Sequence, residues 1–238
     1  MTPQTVHLGK QHILYDAECI EEASANLFEP DWHQRIGALK GAAVGRGTTH
    51  FFDLGNYAAV LRHYRRGGLV AKFNSDCYLW TGLESSRPWR EWELLAALRE
   101  KKLPVPKPLA ARVVTAGVWY RGDLLMEEIS RAQPLSQWLM QQSLAESTWQ
   151  AVGATIRRFH AAGVYHADLN AHNILLDAED RVSLIDFDRG KLRAVSRVWA
   201  QANVSRLQRS LTKLYGLHPG FHYNNIGWNA LLYGYENP

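Results

Sequence analysis

Between Arg87 and Glu100 the apolar residues Trp89, Trp92, Leu95, Ala96 and Leu98 recur at helical spacing with charges between them, and Pro104 follows as a stop. That stretch predicts an amphipathic helix. Val152, Ile156 and Phe159 repeat the rhythm, so Ser147–His160 predicts a second helix, closed by Gly163, and Ser136–Gln142 a shorter one before it. Ala58–Tyr64, Leu109–Ala116 and Val118–Ile129 read as strands. Arg66-Gly67-Gly68-Leu69 reads as a tight hairpin turn into a strand over Leu69–Phe73. Near the start, Glu21–Phe28 and Trp32–Ile36 suit helical turns around Pro30; residues 1–35 are otherwise mixed. Late in the chain, Asn173–Asp177 and Arg181–Ile185 predict two short strands joined by the polar turn Asp177-Ala-Glu-Asp180.

The pattern divides coarsely in two. Residues 37–129 are strand-rich with one helix, and residues 130–238 are helix-rich with one hairpin. An α+β fold of two lobes is expected, residues 1–129 and 130–238, jointed near Met126–Arg131. A hydrophobic content of 46%, with 9 Trp, 10 Tyr and 7 Phe, supplies a real core and excludes a disordered chain. No apolar run approaches the ~20 residues of a membrane-spanning helix. Met1–Lys10 lacks a basic-then-apolar secretory pattern, and Cys19 and Cys77 have no metal-ligand spacing, so a reduced cytoplasmic setting is expected.

Charge changes the picture where it is located. The net charge is +4, but from Arg189 to Tyr235 there is no Asp or Glu, while Arg189, Lys191, Arg193, Arg197, Arg206, Arg209 and Lys213 fall there. Such a stretch is either a solvated helix face or a surface for an anionic partner: a phosphate-bearing substrate, an acidic membrane or nucleic acid. Nucleic acid is not expected, because no reading motif accompanies the charge.

The chemistry is concentrated in His166-Ala-Asp-Leu-Asn-Ala-His-Asn173 and Ile185-Asp-Phe-Asp188. Asp168 is followed by an Asn five residues on and by Asp186 thirteen beyond that. Phosphoryl transfer from ATP needs such a set: one carboxylate to orient the attacking hydroxyl and take its proton, and an amide oxygen and a second carboxylate to hold magnesium on the phosphates. The hairpin between them is the shortest way to return Asp186 beside Asn173. The spacing resembles H-R-D-L-x-x-x-N followed by D-F-G of the protein-kinase-like superfamily. Gly45-Arg-Gly47 before Thr48-Thr49 suits a turn whose backbone can approach phosphates, although Gly-x-Gly alone also fits a plain hairpin.

A closer resemblance covers roughly residues 35–215. Gly-Arg-Gly-Thr-Thr49, Leu-Arg-His-Tyr64, Arg-Gly-Gly68, Leu-Pro-Val-Pro-Lys-Pro108, the His166–Asn173 motif and the run Trp199, Asn203, Arg206-Leu, Arg209-Ser210 are similar to the lipopolysaccharide-core sugar-kinase family, and within it to enzymes acting on 3-deoxy-D-manno-octulosonic acid (Kdo). The resemblance implies a two-lobed protein-kinase-like fold and ATP-dependent phosphorylation of the Kdo 4-hydroxyl on a Kdo-bearing lipid A precursor. It also implies peripheral attachment to the cytoplasmic face of the bacterial inner membrane, an anionic surface. Carried over, Asp168 is the catalytic carboxylate, Asn173 and Asp186 hold Mg2+, and His166 braces the loop. Gly45 and Gly47 cover the ATP phosphates, and the adenine lies against Leu124-Leu-Met126 and the backbone of Glu127 and Ile129. Arg189, Arg206, Arg209 and Lys213 are expected on the acceptor side.

The basic phosphate contact, partnered by Glu91, departs from the usual kinase pattern. Arg62 fits the family's strand position. Lys72 in Val-Ala-Lys superficially resembles the kinase V-A-I-K but follows the Gly67-Gly68 turn. Arg62 is the preferred candidate, with Lys72 its alternative. Ala167 in place of the H-R-D arginine, Asp188 in place of the D-F-G glycine and the lack of A-P-E point away from a protein substrate. Asp188 is open between a metal or hydrogen-bond partner and a turn residue. Two alternatives stand beside this function: another small-molecule or core-heptose kinase of the same fold, and a non-catalytic lipid- or protein-binding scaffold.

Overall fold

The computed structural model describes residues 1–44, 48–66 and 76–238. Gly45, Gly47 and Lys72, and the strand expected over Leu69–Phe73, lie outside the described residues. The chain forms two compact units, Met1–Ala96 with Pro106–Ser130, and Ala97–Val105 with Arg131–Pro238.

The first unit is an antiparallel sheet with helices. Its elements are β1 (Pro3–Leu8), β2 (Gln11–Asp16), α1 (Pro30–Arg35), β3 (Leu39–Val44), β4 (Thr48–Asp53), β5 (Ala58–His63), β6 (Tyr78–Leu79), α2 (Arg87–Glu100, ending in the second unit), β7 (Pro108–Ala116) and β8 (Trp119–Glu127). The strand order is β1-β2-β7-β8-β5-β4-β3, with β6 added to β8. The middle strands β7 and β8 are apolar runs, not alternating ones: Leu109, Ala110, Ala111, Val113, Leu124 and Leu125 are fully buried. Ile13, Phe28, Phe52 and Leu61 pack with Leu109 and Leu125 into one core.

The β1–β2 hairpin corrects the mixed reading of the first residues. It turns at Gly9, which takes the left-handed φ of 63°. No residue of β1 is buried, so it carries no hydrophobic period to betray it; it is recruited by pairing with β2.

The second unit contains β9 (Gln133–Pro134), α3 (Leu135–Gln141), α4 (Glu146–Ala161), β10 (Val164–Tyr165), β11 (Ile174–Leu176), β12 (Val182–Leu184), β13 (Lys191–Leu192), α5 (Arg197–Leu217) and α6 (Asn225–Glu236). β12, β11 and β9 form one small sheet, and β10 and β13 a two-stranded ribbon. The predicted late hairpin is the β11–β12 pair, with Ile174 opposite Leu184.

Helices α4 and α6 pack backbone to backbone. A Cβ on Gly153 would stand 1.9 Å from the Leu231 carbonyl oxygen, and one on Gly234 would stand 2.1 Å from that of Gln150. His160 closes the same interface, its Nδ1 2.8 Å from the Tyr235 hydroxyl and its ring edge-on to Trp199. Burial pushes its pKa down to about 4, against a hydrogen bond to Asn203 that works the other way. Between pH 6.5 and about 4 the unfolded chain therefore takes up a proton that the folded chain refuses. Stability is present above that window and is lost on acidification through it, by up to about 3 kcal/mol. His160→Gln is expected to flatten this part of the urea-midpoint profile; a wild-type slope retained by the variant would refute the assignment.

Candidate active site

The loop between β10 and β11 is held from three sides. His166 is buried and its ring accepts and donates in fixed directions: Nδ1 accepts the Asp168 N–H at 3.1 Å, so Nε2 carries the proton and donates to the Ile185 carbonyl at 2.9 Å. Burial lowers the His166 pKa, which keeps this neutral tautomer in place. The ring also meets Phe187, which is buried against Phe159. His166 thus ties the start of the loop to the strand end that carries Asp186.

The Asp168 carbonyl accepts from Asn170 Nδ2 at 3.0 Å and from Asn173 Nδ2 at 2.9 Å. With its amide nitrogen committed, Asn173 presents Oδ1 as its acceptor. The Ile185 N–H bonds the Asn173 carbonyl at 3.0 Å, so the hairpin does return Asp186 next to Asn173 in the chain pairing. Asp186 sits at φ 61°, a left-handed conformation uncommon for a residue with a side chain. A turn from Phe187 to Gly190 follows, closed by a 2.7 Å backbone bond, and Asp188 lies in it.

Helix α5 supplies the third side. Asn203 is buried and its Oδ1 accepts the His166 N–H at 3.2 Å, while Ser210 Oγ accepts the Ala171 N–H at 3.3 Å. Between them Arg206 reaches Asp168: Nε and Nη2 both donate to Oδ1, at 3.0 and 2.5 Å. These bracing roles of Asn203 and Ser210 were not assigned from sequence, although positions 203, 206 and 210 share one helix face and the spacing is readable. Arg209 and Lys213 continue the exposed side of α5, and Arg189 is exposed after the Asp186 turn.

The first unit holds a separate cluster. Arg62 on β5 bonds and ion-pairs with Glu91 on α2, whose side chain is 1% exposed. The Tyr64 hydroxyl donates to Glu91 Oε2 at 2.6 Å and accepts from Arg62 at 3.0 Å. Burial, with the Glu91 charge beside it, raises the Tyr64 pKa well above the usual phenol range, so the hydroxyl stays a donor. Arg62 pairs across the sheet with Thr49, next to the Thr48 that ends the glycine segment. At the end of β8, the N–H groups of Glu127 and Glu128 are spent on Lys107 and Ala58, at 2.8 and 2.7 Å. Glu127 therefore has no backbone N–H to offer an adenine; Ile129 follows as the next backbone position.

Among the described residues no three His, Cys, Asp or Glu side chains gather as a metal site. A family model described as "Lipopolysaccharide kinase (Kdo/WaaP) family" matches residues 30–235. The chain belongs to the lipopolysaccharide kinase (Kdo/WaaP) family. A member named 3-deoxy-D-manno-octulosonic acid kinase in Stenotrophomonas maltophilia is 45% identical over 216 residues, 91% of this chain and 86% of that protein. Proteins of the same name in Vibrio vulnificus and Photobacterium profundum are 40% and 41% identical, each over 96% of both chains. Among solved structures, the Cydia pomonella granulovirus kinase PK-1 is similar over 68% of this chain and 55% of its own, at 12% identity and a TM-score of 0.44. Like other members of the family this chain is an ATP-dependent kinase of α+β, kinase-like fold. No helix among its described residues is long and apolar enough to cross a membrane.

Proposed function

We propose that this chain transfers the γ-phosphoryl group of ATP to the 4-hydroxyl of Kdo on a Kdo-bearing lipid A precursor. The observation that carries the reading is the braced loop: Asp168 stands in it with Asn173 bonded to its carbonyl and Asp186 returned by the hairpin. The names of relatives 40–45% identical supply the sugar. In this mechanism Asp168 orients the acceptor hydroxyl and receives its proton. The hydroxyl oxygen bonds the γ-phosphorus as the bond to ADP breaks. Asn173 Oδ1 and the Asp186 carboxylate fit Mg2+, a hard cation that takes oxygen ligands; when bound it neutralises charge on the transferring phosphates. The test is incubation with Mg-ATP and a panel of Kdo-lipid A precursors, Kdo, heptoses and aminoglycosides; phosphate on the Kdo 4-position is expected, and incorporation confined to another acceptor would overturn the reading.

Arg62 is the phosphate clamp of this proposal, positioned by Glu91 and Tyr64. Arg62→Ala is expected to lower kcat/KM by roughly 10²-fold or more, as losing a charge-assisted contact to a transferring phosphate does. Lys72→Ala is expected to change it far less. The reverse ranking in steady-state assays would move the clamp to Lys72.

The acceptor is membrane-borne, so the protein is proposed to meet the cytoplasmic face of the inner membrane peripherally. Leu192, Val195 and Val198 are 44%, 62% and 79% exposed, and Arg189, Lys191, Arg193 and Arg197 flank them without an acid among them. Apolar side chains between cations suit the boundary of an anionic bilayer, where each cation adds ~1 kcal/mol. Changing Leu192, Val195 and Val198 to Ser is expected to weaken binding to phosphatidylglycerol vesicles about tenfold while turnover of a water-soluble Kdo glycoside stays unchanged. Wild-type vesicle binding by the variant would remove this surface from the proposal.

A further inference from the structure

Arg206 and Asp168 form an ion pair on the candidate catalytic carboxylate itself. The pair is not a chance meeting of two loops. α5 is pinned to the catalytic loop on either side of Arg206, by Asn203 on His166 and by Ser210 on Ala171, so the guanidinium is delivered to Asp168 by a fixed helix. Both hydrogen bonds fall on one oxygen, Oδ1; among the described residues nothing bonds Oδ2. Arg206 and Asp168 are 47% and 39% exposed, so water screens the pair and it can be exchanged at little cost. The stretch around Arg206 contains no acid from Arg189 to Tyr235, so no neighbour in that segment can take the guanidinium from Asp168.

We propose that Arg206 selects the acceptor by ion-pair exchange: it caps Asp168 until an acceptor carboxylate competes for the guanidinium. The inference rests on the Kdo reading above, since that sugar is an acid. On exchange, the planar fork of Arg206 binds the acceptor carboxylate and Asp168 is released to the acceptor hydroxyl. The hydroxyl proton then passes to Asp168 as the oxygen–phosphorus bond forms, and ADP leaves with the electron pair of the broken bond. A neutral isostere of the acceptor cannot draw the guanidinium away. It meets a carboxylate that is already partnered, and it gains no ion pair of its own. Selection therefore works by what the acceptor displaces as well as by what it binds.

The experiment compares kcat/KM for the methyl glycoside of Kdo and for its carboxamide, with Mg-ATP saturating. The unsubstituted protein is expected to prefer the acid by roughly 10- to 100-fold, the usual worth of a hydrogen-bonded charge partner. In Arg206→Gln the ratio is expected to collapse toward one, through a raised KM for the acid. Arg206→Lys, which keeps charge without the fork, is expected to fall between. General damage to the loop would lower both acceptors together and leave the ratio in place; a ratio unchanged in Arg206→Gln therefore overturns the exchange. So does a ratio near one in the unsubstituted protein, a measurement that needs no variant. If neither glycoside reacts, the same comparison is made on a Kdo-lipid A precursor and its carboxamide, and a protein that phosphorylates none of the four overturns the Kdo reading first, and the exchange with it.

Discussion

Asp168→Asn is expected to lower turnover by about 10²- to 10⁴-fold, the contribution of a positioned general base, while leaving nucleotide binding close to wild type. The structure makes this substitution unusually clean. Asn170 and Asn173 bond the carbonyl of Asp168, and His166 accepts its backbone N–H, so none of the contacts that shape the loop uses the carboxylate. Among the described residues only the link to Arg206 does. Asn preserves side-chain size and removes the proton acceptor. Single-turnover measurement with saturating ATP and acceptor isolates the chemical step, and a variant keeping more than a tenth of the wild-type rate would end the assignment of Asp168 as base.

The second large effect concerns folding. Gly153→Ala places a methyl group 1.9 Å from the Leu231 carbonyl oxygen and 2.7 Å from the Tyr235 nitrogen, both of them backbone atoms that no rotamer change can move aside. α4 and α6 must separate. Overpacking of this kind costs typically 1–3 kcal/mol or more, against the ~1 kcal/mol that Ala gains over Gly in a helix. A net loss of roughly 2 kcal/mol is expected, which lowers the melting temperature of a chain this size by about 4–8 °C. Gly234→Ala, facing Gln150 across the same contact, is expected to behave alike. Since both push the same helices apart, their double variant should lose less than the sum of the singles. Melting curves unchanged in either single variant would mean that the helices are not in backbone contact.

How far the sequence could be read follows from what each element depends on. α2 was legible to the residue, Arg87–Glu100, because its apolar rhythm and the prolines after it are local signals. The β11–β12 hairpin and the braced loop were legible for the same reason: His166, Asp168 and Asn173 are close in the chain, and the turn at Asp177–Asp180 is polar. The β1–β2 hairpin was not, because β1 buries nothing and its strand character exists only in the pairing. The glycine contact was illegible too. A glycine inside a helix reads as a weak position, and only the neighbour's backbone explains it. The basic segment was visible as charge, but its division was not. Arg206 lies 38 residues from Asp168 in the chain, and which cation of α5 meets the loop depends on the rotation of that helix. At Glu127 the sheet claims the backbone N–H for Lys107, a pairing that no local signal in the sequence announces.

α5 carries two inventories on one rod. Trp199, Ala200, Asn203, Val204, Leu207 and Leu211 are buried, and Asn203 braces the loop; Arg209 and Lys213 stand on the water side. Under mutation these two inventories drift independently. Exchanging Arg209 or Lys213 for other residues leaves the tautomer of His166 and the seat of Asp168 untouched, so a lineage can try new acceptors without rebuilding its phosphoryl-transfer chemistry. Insertion or deletion is a different matter. Removing one residue between Trp199 and Asn203 turns everything after it by about 100°, swings Asn203 and Arg206 off the loop together, and presents a charged side chain to the core. The helix should therefore be free in composition on its outer row and fixed in length, a reading frame in three dimensions that point substitutions respect and a single deletion breaks.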